Sequence, residues 1–289
     1  MTLPHRLDLE VLGTPIAFCS DEPDWIQLLG QLWDPFRASH RSNGAARFEL
    51  STEPPGLSVR FPGGRRIVGS DPWPLLNEVC NEVSRTAVST RRHLALHAGM
   101  VAKGDAGVLL LGPAGAGKTT LTLALVDQGW IYGSDDLAPI DAITGRILPF
   151  PKPVSVKDPE RWRRPIWPDA PAMLPPPSGP FMVPPKVLGK TVPSPVKPGL
   201  MVFPGFTPGS EPRCQKLSPA QAAASSARNI HPPQPLDRRA LRVISRLCAG
   251  APGVRVTYGS RPAALAGLKE RLTAAEAEGE LGGQRKEFA

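Results

Sequence analysis

Cysteine is scarce in this 289-residue chain: Cys19, Cys80, Cys214 and Cys248 are the four, and no two form a Cys-x-x-Cys pair. That spacing argues against a disulfide framework or a cysteine-based metal site and leaves core or surface thiols. Long apolar runs are missing as well. Stretches such as Val108 to Leu111 fall far short of the roughly 20 apolar residues that a membrane helix needs. The first dozen residues carry His5, Arg6, Asp8 and Glu10 where a signal peptide requires an unbroken apolar stretch, so the expected location is the cytoplasm, without membrane association. No internal repeat is found.

Two things are in excess. Thirty-six prolines are more than twice the usual share of about 5%. The 34 basic against 26 acidic residues leave a formal charge of +8, which favours anionic partners. With 41% hydrophobic and 21% charged residues, the composition otherwise suits a globular protein with ample core.

The pattern divides the chain near Arg91-Arg92. Residues 1–90 read as a small α+β unit, with strand pieces at Leu7 to Val11, Ile16 to Phe18 and Arg47 to Leu50. A hairpin turns through Pro62-Gly-Gly64, and a helix runs from Pro74 to Ala87. Residues 91–289 open with alternating Leu94, Leu96, Ala98 and Met100, then the buried strand Val108 to Leu111. A helix over Thr120–Val126 closes at Gly129, and a short strand from Trp130 leads to Gly133-Ser-Asp-Asp136. A hairpin around Asp141 to Gly145 stands where a βαβ repeat would have a helix. Residues 149–235 hold most of the prolines and predict little regular structure beyond strands at Val154 to Lys157 and Leu200 to Phe203. Beyond them the pattern predicts a helix over Leu241–Cys248, a strand over Val254–Tyr258 and an amphipathic helix over Pro262–Ala275.

Between the strand at Val108 to Leu111 and the helix at Thr120 lies Gly112-Pro113-Ala114-Gly115-Ala116-Gly117-Lys118-Thr119, a complete G-x-x-x-x-G-K-[ST] pattern in its confirming context. Glycines let consecutive backbone N–H groups converge on phosphate, and the helix N-terminus of Thr119 and Thr120 adds a favourable dipole. Lys118 reaches the β- and γ-oxygens, and the Thr119 hydroxyl suits Mg²⁺. ATP and Mg²⁺ are therefore the expected cofactors. Such a loop needs acids, and Asp135 and Asp136 end the next strand. Adjacent residues there point to opposite faces, so one can face the metal and its neighbour the acceptor; the plainer reading is that both cap the turn. Asp141 reads as turn chemistry. His93 and His97 have metal-pair spacing only on a helix, whereas His-Leu-Ala-Leu-His alternates as a strand does, so His97 by itself reads as a core histidine.

The block from His97 to Asp136 resembles the kinase core of the HPr kinase/phosphorylase family, in its divergent HPr-kinase-related branch, and more distantly ATP-dependent phosphoenolpyruvate carboxykinase. His97-Ala98 lies fifteen residues before Gly112, a helix ending at Gly129 follows the loop, and the Asp135-Asp136 pair begins seventeen residues after Lys118. The resemblance implies an α/β fold, α+β overall: a P-loop kinase core of HPr kinase type with a mixed sheet, behind the small N-terminal unit. It implies that one aspartate is general base on a seryl hydroxyl, assigned to Asp135, that Asp136 works with the metal, and that His97 lies near the γ-phosphate. It also implies a serine-bearing protein or peptide acceptor, with a ribosomally made precursor peptide as one class, and leaves a homo-oligomer open.

The chain departs from that family downstream. The Glu-Ile-Arg-Gly-type signature is replaced by Val154-Ser-Val-Lys157, so phosphorolysis is not expected. Lys157 and Arg228 become candidates for binding phosphate or an anionic acceptor. Arg161-Trp-Arg-Arg164 has the basic and aromatic character of nucleic-acid contacts, yet a lone cluster reads as a surface or partner contact, and nucleic acid is not expected. Two other readings stand beside the serine kinase: a kinase for a small metabolite, and a binding module in which nucleotide sets a conformation without catalysis.

Overall fold

The computed structural model describes residues 3–53, 56–89, 92–157, 180–232, 234–260 and 267–268. Along the chain run β1 (His5–Val11), β2 (Thr14–Ser20), α1 (Pro23–Leu32), β3 (Ala46–Glu53), β4 (Gly56–Arg60), β5 (Arg66–Gly69) and α2 (Pro72–Ser89). Then come β6 (His93–Leu96), β7 (Ala98–Lys103), β8 (Ala106–Leu111), α3 (Lys118–Asp127), β9 (Ile131–Ser134) and β10 (Ala138–Asp141). The proline-rich stretch holds β11 (Val154–Val156), β12 (Phe181–Val183) and β13 (Lys197–Phe206). It is followed by β14 (Arg213–Leu217), α4 (Pro219–Ala227), α5 (Arg238–Gly250) and β15 (Gly253–Tyr258). The fold class is mixed α/β. The chain forms two compact units, one of residues 1–90 with 152–187, the other of residues 91–151 with 188–289.

In the first unit a five-stranded sheet has the order β1-β2-β3-β4-β5, antiparallel except for the parallel β2–β3 pair. A parallel pair needs a crossover, and α1 supplies it. Sequence periodicity did not separate α1 from its surroundings, although Pro23 at its first turn and buried Trp25, Leu28, Leu29 and Leu32 mark one apolar face. The sheet core gathers Phe18, Phe48 and Phe61, each ring 5–6 Å from the next. Helix α2 buries Leu75, Leu76, Val79, Cys80 and Val83, each large apolar chain contributing about 1.5–3 kcal/mol on burial. Its Trp73 stacks edge-on to Phe181 of the β11–β12 hairpin, with 5.9 Å between ring centroids. That packing explains a difference from the sequence reading: residues 152–187 of the proline-rich segment group with residues 1–90, not with the phosphate-loop half.

The second unit is built on a six-stranded mixed sheet ordered β14-β15-β13-β8-β7-β9. Strands β8, β13 and β15 are parallel, β14 and β7 antiparallel to their neighbours, and β9 antiparallel to β7. One face buries Val108, Leu110, Val202, Val254 and Val256 under Leu121 and Leu125 of α3. The other buries Leu109, Leu111, Met201 and Phe203 under Val243, Ile244 and Leu247 of α5, with Ala222 of α4. Burial on both faces is why these strands read as continuous apolar runs. Helix α5 is capped by Asp237, whose carboxylate accepts from Ala240 N at 2.9 Å.

The stretch expected as one strand from Leu94 to Met100 breaks at His97. Strand β6 pairs with β10 in a separate two-stranded ribbon, and β7 enters the large sheet. The hairpin at Asp141 forms: its carboxylate accepts from Ile143 N, Thr144 N and Thr144 Oγ1, which holds it below the ordinary carboxylate range, the Thr144 backbone N–H having the largest effect. Helix α4 and strand β14 went unread in the sequence, one being alanine- and serine-rich and the other polar along most of its length. Arg161 to Arg164 lie outside the described residues, as does the expected Pro262–Ala275 helix apart from a helical turn at 267–268. Among the described residues no helix is long and apolar enough to cross a membrane.

Candidate active site

Buried central strand β8 delivers the chain to Gly112 at its C-terminal end, and α3 leaves from Lys118. Between them Gly115 and Gly117 take φ of +84° and +91°, the left-handed region that turns successive N–H groups toward one point. Gly117 is required twice over, because a Cβ there would also overlap the Tyr258 hydroxyl. That hydroxyl donates to Ala116 O at 3.0 Å, pinning the loop to the end of β15. Gly112 lies against Pro204 of β13: a Cβ there would stand 3.6 Å from Pro204 O. Pro113, Ala114 and Gly115 form the exposed crest, while Thr119 is half-buried and Thr120 exposed at the start of α3, where the first-turn N–H groups have no helical partners. Lys118 is 6% exposed; its ammonium donates to Gly112 O at 2.7 Å and Pro113 O at 3.1 Å, folding across the loop it would serve.

The two acids lie at the same end of the sheet. Met100 of β7 pairs with Ser134 of β9 and Ala98 with Leu111 of β8, so the chain after Ser134 reaches the level where β8 becomes the loop. Ser134 Oγ donates to Leu137 O at 2.5 Å, closing the turn that displays Asp135 and Asp136. Within that turn the two side chains part. Asp135 is buried at 2% exposure, whereas the Asp136 side chain is 38% exposed. Burial, and then the charges of both aspartates, push the phenol of Tyr132 well above its ordinary range. At Gly99 a Cβ would overlap the buried Thr122 hydroxyl of α3 and stand 3.3 Å from Asp135 O, so the bare backbone lets helix and acidic turn approach.

His97, at the break between β6 and β7, sets Nδ1 3.2 Å from Asp136 Oδ1. Its backbone N–H donates to Asn229 O at 2.6 Å, and His231 N donates to Ala95 O at 2.8 Å, so residues 229–231 run along β6. The His231 ring lies 6.3 Å from that of His97, centroid to centroid. Sequence reasoning missed Asn229 and His231, because a histidine in a proline-rich loop looks like any solvent-facing loop residue until the fold lays it along β6. Arg228 stands exposed at the end of α4, next to Asn229. Lys157 is exposed after β11 and belongs to the first unit, whereas all the groups above belong to the second. His93 is not joined to His97: it faces Asp141 across the β6–β10 ribbon. Among the described residues no three His, Cys, Asp or Glu side chains cluster as a metal cage.

The left-handed glycines, lysine and threonine thus form a glycine-rich strand–loop–helix on a mixed α/β sheet. No family model and no curated protein matches the chain. Among solved structures it is similar to the Hpr(Ser) kinase/phosphatase from Coxiella burnetii, with 15% identity and a TM-score of 0.34 over 63% of this chain and 98% of that one.

Proposed function

We propose that this chain is an ATP- and Mg²⁺-dependent kinase that phosphorylates a serine hydroxyl of a protein or peptide. One observation carries the reading: a complete phosphate loop shares a sheet end with two carboxylates, one buried and one open, the open one 3.2 Å from an imidazole. A loop that only bound nucleotide would not need the open pair.

The loop's N–H groups and Lys118 hold the phosphates, Lys118 exchanging its contacts with Gly112 O and Pro113 O for phosphate oxygens. Thr119 and Asp135 offer a hydroxyl and a carboxylate oxygen, the hard donors that suit Mg²⁺ alongside phosphate. Bound Mg²⁺ would offset charge on the phosphoryl oxygens during transfer. Asp136 is open to an acceptor. A seryl hydroxyl is a weak nucleophile that must be oriented and relieved of its proton, and Asp136 with His97 suits that task. Exposure thus favours the reverse of the order expected from sequence: Asp136 toward the acceptor and Asp135 toward the metal. Arg228, exposed one residue before Asn229, whose carbonyl accepts from His97 N, is proposed to meet an anionic acceptor. Transfer is proposed to run one way, because the chain lacks the glutamate-containing signature that accompanies phosphorolysis.

The test is to incubate the protein with γ-labelled ATP, Mg²⁺ and lysate, and to identify labelled residues by mass spectrometry. Serine labelling that vanishes in Lys118→Ala supports the proposal. Asp136→Asn should retain nucleotide affinity while transfer falls by about 10²–10⁴-fold, and Asp135→Asn should weaken Mg²⁺-dependent binding. Labelled metabolites without labelled protein would point to a small-molecule kinase. Nucleotide binding with no label in any acceptor would point to a binding module.

A further inference from the structure

The phosphate loop has two flanks, and the residues on them differ in kind. Toward β7 and β9 stand His97, Asp135 and Asp136. On the opposite flank β13 and β15 end in Phe206 and Tyr258, whose rings are 5.7 Å apart, centroid to centroid, and tilted by 55°. Scattered exposed apolar residues are ordinary on protein surfaces. Phe206 differs from the rest: of the large hydrophobics exposed among the described residues, Val68, Ile143, Phe206, Leu236 and Leu241, it alone is aromatic, at 49% exposure.

Its position is fixed. Phe206 is two residues beyond Pro204, against which Gly112 packs, and strand alternation puts Pro204 and Phe206 on one face. That is the face of Val202, covered by α3. The backbone past Phe206 is tied by Thr207 N donating to Tyr258 O at 2.9 Å, and Tyr258 is itself bonded to Ala116 of the loop. An aromatic ring is thus open to solvent beside the phosphate loop and rigidly coupled to it, on the flank away from the acids. A nucleotide whose terminal phosphate points to Asp135 and Asp136 extends its nucleoside to the other side.

We propose that Phe206, backed by Tyr258, is the platform on which the purine of the bound nucleoside triphosphate stacks. This rests on the phosphoryl-transfer reading and adds the base site to it. Phe206 supplies the π-face, and Tyr258 holds it at a set distance from the loop through Ala116. Stacking on an aromatic face tolerates any base, so the platform supplies affinity and orientation and not base identity.

Calorimetric titration with Mg²⁺-ATP and, separately, Mg²⁺-tripolyphosphate tests this without relying on turnover. Phe206→Ala should bind ATP about tenfold more weakly while its tripolyphosphate affinity stays that of wild type. Phe206→Leu, which keeps apolar bulk without a π-face, should behave the same way. Phe206→Trp should keep ATP affinity, and its added fluorescence should be quenched by ATP but not by tripolyphosphate. Ile143→Ala, which removes an exposed apolar side chain of the same unit, should change nothing. Unaltered ATP affinity in Phe206→Ala, or equal losses for both ligands, would overturn the platform while leaving the phosphate loop in place. Wild-type protein that binds neither ligand would overturn both.

Discussion

Replacing Gly117 by alanine tests the claim that Tyr258 braces the phosphate loop. Two costs add. The backbone sits at φ +91°, where an L-residue is penalised by about 1–2 kcal/mol. The new Cβ also overlaps the Tyr258 hydroxyl, so that ring must move and give up its 3.0 Å bond to Ala116 O, worth about 1 kcal/mol. The expected loss is about 2–3 kcal/mol. Tyr258→Phe separates the terms, since without the oxygen the nearest remaining ring atom, Cζ, stands 3.3 Å from the built Cβ, tight but tolerable. In that background Gly117→Ala should cost only the backbone term, giving a coupling of about 1 kcal/mol in the double-mutant cycle. Urea unfolding of the four proteins, followed by circular dichroism and nucleotide titration, measures it. Equal costs of Gly117→Ala in both backgrounds would refute the brace, and a cost near zero would refute the left-handed loop itself.

Thiol chemistry offers a further check, because Cys19, Cys80 and Cys248 are buried, Cys214 is exposed on β14, and burial pushes the Cys80 thiol up to about 12. Ellman's reagent should label one thiol rapidly in native protein and all four in guanidinium; a rapid phase that survives in Cys214→Ser would contradict the burial of Cys19, Cys80 and Cys248. Stability should also fall with acid through His93, whose imidazole is pushed down by burial, with Asp141 opposing and Arg239 and Arg92 reinforcing the shift. A lowered folded value means the neutral form is favoured in the fold, so this contribution is complete above the unfolded value of about 6.5 and is lost as pH falls through the folded one. Between pH 7 and 5 the Tm of wild type should therefore drop more than that of His93→Gln, and parallel curves would show that the histidine is not desolvated.

Much of the candidate site was legible in the sequence because its parts are local. Gly112 to Thr119 is one contiguous turn whose glycines, lysine and threonine each have a backbone or phosphate reason to be there, and the flanking apolar strand and helix carry their own periodicities. The acidic pair was legible for the same reason, since neighbours at a strand end must diverge. Which acid is buried was not legible: that depends on β9 pairing with β7 and on α3 approaching Gly99, contacts formed across the sheet. The strand pattern through His97 hid a break, because alternation continues smoothly while β6 and β7 join different sheets. Phe206 and Tyr258 reach the site from about 90 or more positions beyond the loop because the parallel register of β8, β13 and β15 aligns their strand ends, whereas Asn229 and His231 reach it through their backbone bonds with His97 and Ala95 along β6. The proline-rich segment shows the same limit: prolines suppress periodicity, so Phe181 could be assigned to the first unit only by its packing on Trp73. Local chemistry determined that phosphate is the ligand to expect; long-range pairing alone decided what surrounds it.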